Sequence, residues 1–231
     1  MDTSRGRDFY ERQRAEALRA GSVFHCSTKQ VADVVIEMAR ERLAEFHTVL
    51  DVGCGANLDY DMAIAVAGKT VHAIDFALNF LRLAPKEHPN VFLAQASALN
   101  LPFRNATFDA VICSETLEHI QDDRTVIAEI ARVLKTNGNL FITVPNLWNA
   151  SRIIQMIKEW NFRIELMEGH VREYSPRQLK RLLSDWFTVE RYVPVGFGWS
   201  GRFGGPIESL IKCGLLRRFS GCVAFAARRH R

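Results

Sequence analysis

Val49-Leu50-Asp51-Val52-Gly53-Cys54-Gly55 is an apolar run that ends in a glycine turn. About 20 residues later Val71-His72-Ala73-Ile74-Asp75 repeats the apolar run and ends in an acid. Each run is short, rich in β-branched residues and bounded by turn formers, which predicts a buried strand. Together they have the spacing of a βαβ nucleotide-binding unit. The glycines let the backbone approach a ligand with no Cβ in the way. An acid at the tip of the second strand can accept two hydrogen bonds from a ribose diol. The pattern points to an adenosine-containing ligand.

Two such ligands compete, a dinucleotide and S-adenosylmethionine. A dinucleotide site uses Gly-x-Gly-x-x-Gly, so that a pyrophosphate can sit on the helix N-terminus. Here Gly53-Cys54-Gly55-Ala56-Asn57-Leu58 lacks the third glycine. Asp51 precedes the turn, and Asp59 and Asp61 follow it. Carboxylates there repel a pyrophosphate and suit the sulfonium and ammonium of S-adenosylmethionine.

Alternation continues along the chain. Strands are expected near 48–52, 70–74, 91–94, 109–113, 139–144, 187–193 and 222–227. Helices are expected near 8–20, 28–44, 60–67, 77–84, 123–135 and 176–184. In the 28–44 helix, Val31, Val34, Val35, Met38, Ala39 and Leu43 form one apolar side. Short apolar strands separated by helices predict a doubly wound, Rossmann-like α/β fold with helices on both faces. The 231 residues fit one domain, 1–231, with N-terminal helices over 1–44. Two segments, 147–168 and 196–220, read as insertions that either cover the ligand rim as lids or pack on the core.

Composition narrows the class. Apolar residues make up 48 % of the chain and the formal charge is +4. The excess basic residues sit near the two ends, which argues for solvated termini more than for a nucleic-acid partner. Five dispersed cysteines without Cys-x-x-Cys spacing fit reduced thiols in a cytoplasmic protein. No His, Cys, Asp or Glu cluster has metal-ligand spacing, so no metal is expected. No apolar run of about 18 residues is present, so a membrane would be met only peripherally, through the basic end of the 207–219 helix.

At the level of motifs the chain resembles the class I S-adenosylmethionine-dependent methyltransferases. Val49 to Gly55 looks like their motif I. Leu99-Asn100-Leu101-Pro102-Phe103, Leu117-Glu118-His119-Ile120 and Arg132-Val133-Leu134-Lys135, in that order, are similar to the type 11 branch, which resembles the ubiquinone and menaquinone biosynthesis enzymes. The likeness runs from Thr28 to Asn146 and returns at Gly169-His170-Val171-Arg172-Glu173-Tyr174-Ser175-Pro176. It implies a mostly parallel seven-stranded sheet whose last strand is antiparallel, and S-adenosyl-L-methionine as cofactor. It implies that Gly53, Cys54 and Gly55 lie against the amino-acid end of the cofactor, that Asp51 either orients the loop or meets the ammonium, and that Asp75 holds the ribose. Ser97, Ala98 and Leu99 would reach the adenine, with Ser97 standing where the family often has aspartate. Ser114 and Glu115 would lie near the methyl group. Phe76 either lies against the adenine or packs in the core.

Methyl transfer from a sulfonium needs alignment and exclusion of water more than acid catalysis. A hydroxyl acceptor also benefits from a base, and His119 and His170 are the candidates. His119 alternatively packs beside the fourth strand. Were 115–119 helical, Glu115 and His119 would share a face. Tyr10 and Tyr174 are further candidates for a lid. The expected function is methylation, at oxygen or carbon, of a small or lipid-like acceptor. The alternatives are an RNA methyltransferase and a non-catalytic cofactor-binding module.

Overall fold

The computed structural model describes residues 26–56, 58–84, 88–149, 153, 157, 169–196 and 219–230. The helix expected at 8–20 with Tyr10, residue Asn57, and most of the segments 147–168 and 196–220 lie outside the described residues.

The elements run α1 (Cys26–Arg40), β1 (Thr48–Val52), α2 (Asp59–Val66), β2 (Thr70–Asp75), α3 (Leu78–Leu83), β3 (Val91–Gln95) and β4 (Phe108–Ser114). They continue through α4 (Asp123–Val133), β5 (Leu134–Pro145), α5 (Pro176–Leu183), β6 (Phe187–Val195) and β7 (Cys222–Arg229). The seven strands form one sheet in the order β3-β2-β1-β4-β5-β7-β6. All pairings among β1 to β5 are parallel, and β7 runs antiparallel to both β5 and β6. The expected doubly wound sheet with an antiparallel last strand is what forms.

Each central strand is apolar on both faces because both faces are covered. Leu50 and Val52 of β1 join Val111, Cys113, Ile127, Ile130 and Leu179 in the core under α4 and α5. Val49 joins Val35, Met38, Tyr60, Ile64 and Ile112 in the core under α1 and α2. Side chains alternate along a strand, so Asp51 falls on the second face, with Val49, and meets α2. The amphipathic side of α1 behaves as expected, with Val31, Val35, Met38 and Ala39 all buried.

Local signals set the helix starts. The Asp122 carboxylate accepts from the Thr125 amide at 3.0 Å and caps α4. Ser175 and Gln178 form a reciprocal capping box with Pro176 in the first turn of α5. This start falls where the helix near 176–184 was expected. Among the described residues no helix is long and apolar enough to cross a membrane.

The foot of β1 is fixed by Asp109 on β4. Its Oδ2 accepts from the amides of His47 and Thr48 and from Thr48 Oγ1, each at 2.9 Å, and Oδ1 accepts from Lys135 Nζ at 2.6 Å. Partial burial works to raise its pKa, but Lys135 and these donors together hold it well below the usual carboxylate range. A depressed acid contributes stability above its unfolded pKa and loses it as pH falls. Asp109→Ala is expected to lower stability by about 1–3 kcal/mol at pH 7. The deficit should shrink as pH falls below about 4, where the carboxylate of the unfolded chain takes up a proton before the folded one does. Urea unfolding at both pH values checks it.

Candidate active site

The carboxyl ends of β1, β2, β4 and β5 meet at one rim, where ligands of open α/β sheets bind. Gly53 and Gly55 leave β1 with φ of 81° and 61°, the left-handed region that favours glycine. A Cβ on Gly53 would stand 2.3 Å from Thr116 Oγ1, whereas one on Gly55 would meet nothing within 4 Å. Gly53 is thus pressed against its neighbour, and Gly55 faces open space.

Asp75 ends β2 as the spacing required. Its Oδ2 accepts from the Gly55 amide at 2.9 Å and its Oδ1 from the Ala77 amide at 2.7 Å. The acid therefore organises the glycine turn, a role not read from the sequence. Phe76 is 38 % exposed, which removes it from the core and places it at the rim.

Asp51 and Asp61 are fully buried, and none of their four carboxyl oxygens has a hydrogen-bond partner. Burial first, then Asp61 and Asp75, push the Asp51 carboxyl well above its usual range, with Tyr60 working the other way. Burial pushes Asp61 up to about 7. Asp59, the other acid after the turn, is exposed. Cys54 is buried in the turn, and burial drives its thiol pKa far up, so it is an inert thiol there.

Ser97 Oγ accepts from the Leu99 amide at 3.2 Å, and Ser97 bridges to Asn100. Ser97, Ala98 and Leu99 thus form a tight turn after β3, with Leu99 38 % exposed.

A second group of acids and histidines lies beyond β4. Ser114 Oγ meets Thr143 Oγ1 at 2.8 Å, and Thr143 Oγ1 donates to Glu115 Oε1 at 3.0 Å. The Cys222 thiol approaches Glu115 Oε2 at 3.5 Å. Glu115 has φ of 49°, and only a short 3₁₀ turn, Leu117–His119, follows. The shared helical face expected for Glu115 and His119 does not form, because that backbone turn breaks it. Glu115 points instead into contacts with β5 and β7.

His119 is close to His170, with ring centroids 4.8 Å apart. Its Nδ1 lies 3.0 Å from the Gly169 carbonyl. A carbonyl only accepts, so Nδ1 carries the proton and Nε2 holds the lone pair. Burial lowers its pKa to about 4, partly offset by the Gly169 bond and aided by His170. His170 Nδ1 has no hydrogen-bond partner and lies 3.5 Å from Glu173 Oε1. Glu118 is 1 % exposed, and its Oε2 also has no hydrogen-bond partner. Burial first, then Glu115, raises its pKa.

The 169–174 segment is clasped onto this region from a distance. The amide of Val171 bonds to the Glu118 carbonyl at 2.9 Å, and Arg172 and Tyr174 both reach Asp123. Donor atoms of Glu118, His119 and His170 all lie within 4.8 Å of one another. These are metal-compatible donors that sequence spacing could not bring together, since His170 joins only through the fold. Thr116 links the two halves of the rim, donating to the Ser114 carbonyl at 2.9 Å and approaching the Gly53 carbonyl at 3.4 Å.

An open sheet of this order, with a glycine turn over β1 and an acid ending β2, defines the architecture of a class I methyltransferase. Comparison with known proteins agrees. Residues 50–142 match the family described as "Methyltransferase domain". Demethylmenaquinone methyltransferase of Streptomyces avermitilis is 38 % identical over 94 residues, covering 41 % of this chain and 40 % of that one. Ubiquinone biosynthesis O-methyltransferase of Paracidovorax citrulli is 32 % identical over 133 residues, covering 55 % of each. The chain thus spans only about half, or less, of these curated relatives. In fold it is similar to magnesium protoporphyrin IX methyltransferase from Synechocystis PCC 6803, solved with bound SAH. The TM-score is 0.70 at 15 % identity, over 99 % of this chain and 100 % of that one. Residues 50–142 are thus a methyltransferase domain, and the sheet has the order and the fold of the class I methyltransferases.

Gly53 and Gly68 share nearly the same φ, 81° and 80°, but a Cβ on Gly68 would meet nothing within 4 Å. Alanine at either position costs backbone strain of about 1 kcal/mol. Gly53→Ala also drives into Thr116, so it is expected to cost about 1–3 kcal/mol more than Gly68→Ala. Urea denaturation of the two variants checks the difference.

Proposed function

We propose that the chain transfers a methyl group from S-adenosylmethionine to the oxygen or carbon of a small, quinone-like acceptor. The observation that carries this reading is the rim of Asp51, Gly53, Gly55 and Asp75. It joins two glycines at positive φ to an acid end on β2 and to a buried carboxyl with no hydrogen-bond partner. That donor set fits a ligand with an ammonium at one end and a ribose diol further along. The open side of Gly55 leaves room for close backbone approach. Phe76 and the Ser97-Ala98-Leu99 turn supply exposed apolar and polar surface at the next two strand ends, where an adenine would lie.

When bound, S-adenosylmethionine supplies an activated methyl group on a sulfonium. The chain's own part is to align the acceptor, exclude water and take a proton. We assign the proton to His119, with His170 beside it. The Gly169 carbonyl fixes the His119 tautomer, so that Nε2 is the atom that accepts. A base of such low pKa suits an acceptor hydroxyl that is already acidic, such as a phenol or an enol. The names of the relatives point the same way, because demethylmenaquinone and ubiquinone precursors are quinone-type molecules. The segments at 147–168 and 196–220 are proposed to cover the acceptor and set its identity.

Calorimetric titration with S-adenosylmethionine, S-adenosylhomocysteine and NAD tests the cofactor. Saturable binding of the first two and none of NAD is expected, and Asp75→Ala should weaken it at least about tenfold. NAD binding alone, or unchanged affinity in the variant, would sink the reading. On the acceptor side, His119→Ala should lower kcat by about 10²–10⁴ while leaving cofactor affinity unchanged. As far as His119 governs it, kcat/KM should be level from pH 6 upward and fall below pH about 5, where Nε2 gains a proton. A quinol panel with labelled methyl donor reads both.

A further inference from the structure

We propose that Asp51 and Asp61 act as one carboxyl pair that shares a proton in the free protein and gives it up when the ammonium of the cofactor binds. The inference rests on the cofactor reading above and adds Asp61, which lies on the helix after the glycine turn and not in it.

The geometry begins with strand alternation. Asp51 shares its face of β1 with Val49 and therefore looks at α2, where Asp61 stands in the first turn. The two carboxyl groups meet there, both at 0 % exposure. Carboxylates only accept hydrogen bonds, so two of them in contact need a proton between them. Two buried carboxylates side by side cannot both ionise without a compensating cation. The groups that face the pair do not supply one. They are Asp75 from β2, Tyr60 from α2, Cys54 from the turn and Cys113 from β4, and none carries a positive charge. Burial and the two aspartates keep Tyr60 protonated, and burial with the neighbouring acids does the same for both thiols.

No donor group elsewhere in the described chain forms a hydrogen bond to any of the four deeply buried oxygens of the pair. A buried polar group without a partner is costly, and sites that keep one are built for something that arrives later. An ammonium has three N–H donors and one positive charge, which is what two carboxylates lack. Its arrival makes the second ionisation favourable, and one proton passes from the pair to solvent. The ammonium keeps all three of its own. Asp75 is held apart from this exchange by its hydrogen bonds to the Gly55 and Ala77 amides.

The consequence is a pH dependence that belongs to cofactor binding and not to the methyl-transfer step. Below pH 7 the pair must lose a proton to bind, so affinity rises with pH, approaching tenfold per unit. Titration in buffers of different ionisation enthalpy counts the protons. Wild type at pH 6 is expected to release about one proton with S-adenosylmethionine and with S-adenosylhomocysteine, which share the ammonium. 5′-Methylthioadenosine, which lacks it, should release none. In Asp61→Asn the amide donates to Asp51 and holds it ionised, so its affinity should be nearly flat from pH 5 to 7. At pH 7 the variant should bind about tenfold more weakly than wild type.

Proton release with both ammonium ligands, lost in Asp61→Asn, supports the pair. Saturable binding by wild type without proton release, or release retained in the variant, overturns it. Should Asp61→Asn fail to fold by circular dichroism, the wild-type proton count and the methylthioadenosine comparison decide alone. Absence of any saturable S-adenosylmethionine binding by wild type overturns the cofactor reading, and this inference with it.

Discussion

A carboxyl group taken out of water must be hydrogen-bonded, paired with a cation or protonated. That constraint sorts the acids of this sheet into those that build it and those that work at its rim. Asp109 is met by three donors and a lysine, and it fixes the foot of β1. Asp75 is met by two amides, and it fixes the glycine turn. Asp51, Asp61 and Glu118 keep oxygens with no hydrogen-bond partner, and burial raises the pKa of all three. Asp109 lies at the foot of the strands, whereas Asp75 and the unsatisfied acids lie toward the carboxyl-end rim. Ligand-binding ends of α/β sheets are where such strain is tolerated.

The two clusters of unsatisfied acid differ in company. Around Asp51 and Asp61 there are glycines, a tyrosine and thiols, so the local field is wholly negative or neutral. Around Glu118 there are two imidazoles, one with its tautomer fixed by a backbone carbonyl. The first cluster is suited to a permanent cation. The second can pass a proton or hold a metal ion. This division matches a reaction with a charged donor on one side and an acceptor on the other, in a site whose two parts demand different chemistry.

The sheet was legible in the sequence because each buried strand carries its own signal. All seven strands lie where alternation of apolar runs and turn residues placed them, and Gly53, Gly55 and Asp75 stand at the rim as their spacing required. What was not legible depended on pairing across the fold. Asp61 was read as one of two acids after the turn, and nothing local distinguished it from Asp59, which is exposed while Asp61 is buried. His170 was read beside a helix start, but its contact with His119 depends on how the 169–174 segment folds back over the Glu118 backbone. The Glu115 turn was hidden too, because a positive φ at a glutamate has no residue signature. Phe76 was left between core and rim, and only its exposure decides between them.

Thr116 touches both halves of the rim at once, through the carbonyl of Ser114 and the backbone of Gly53. Interiors packed in this way shift as units and do not yield atom by atom. On the proposed reading, reshaping the acceptor side through the loop after β4 would therefore move the glycine turn beneath the donor as well.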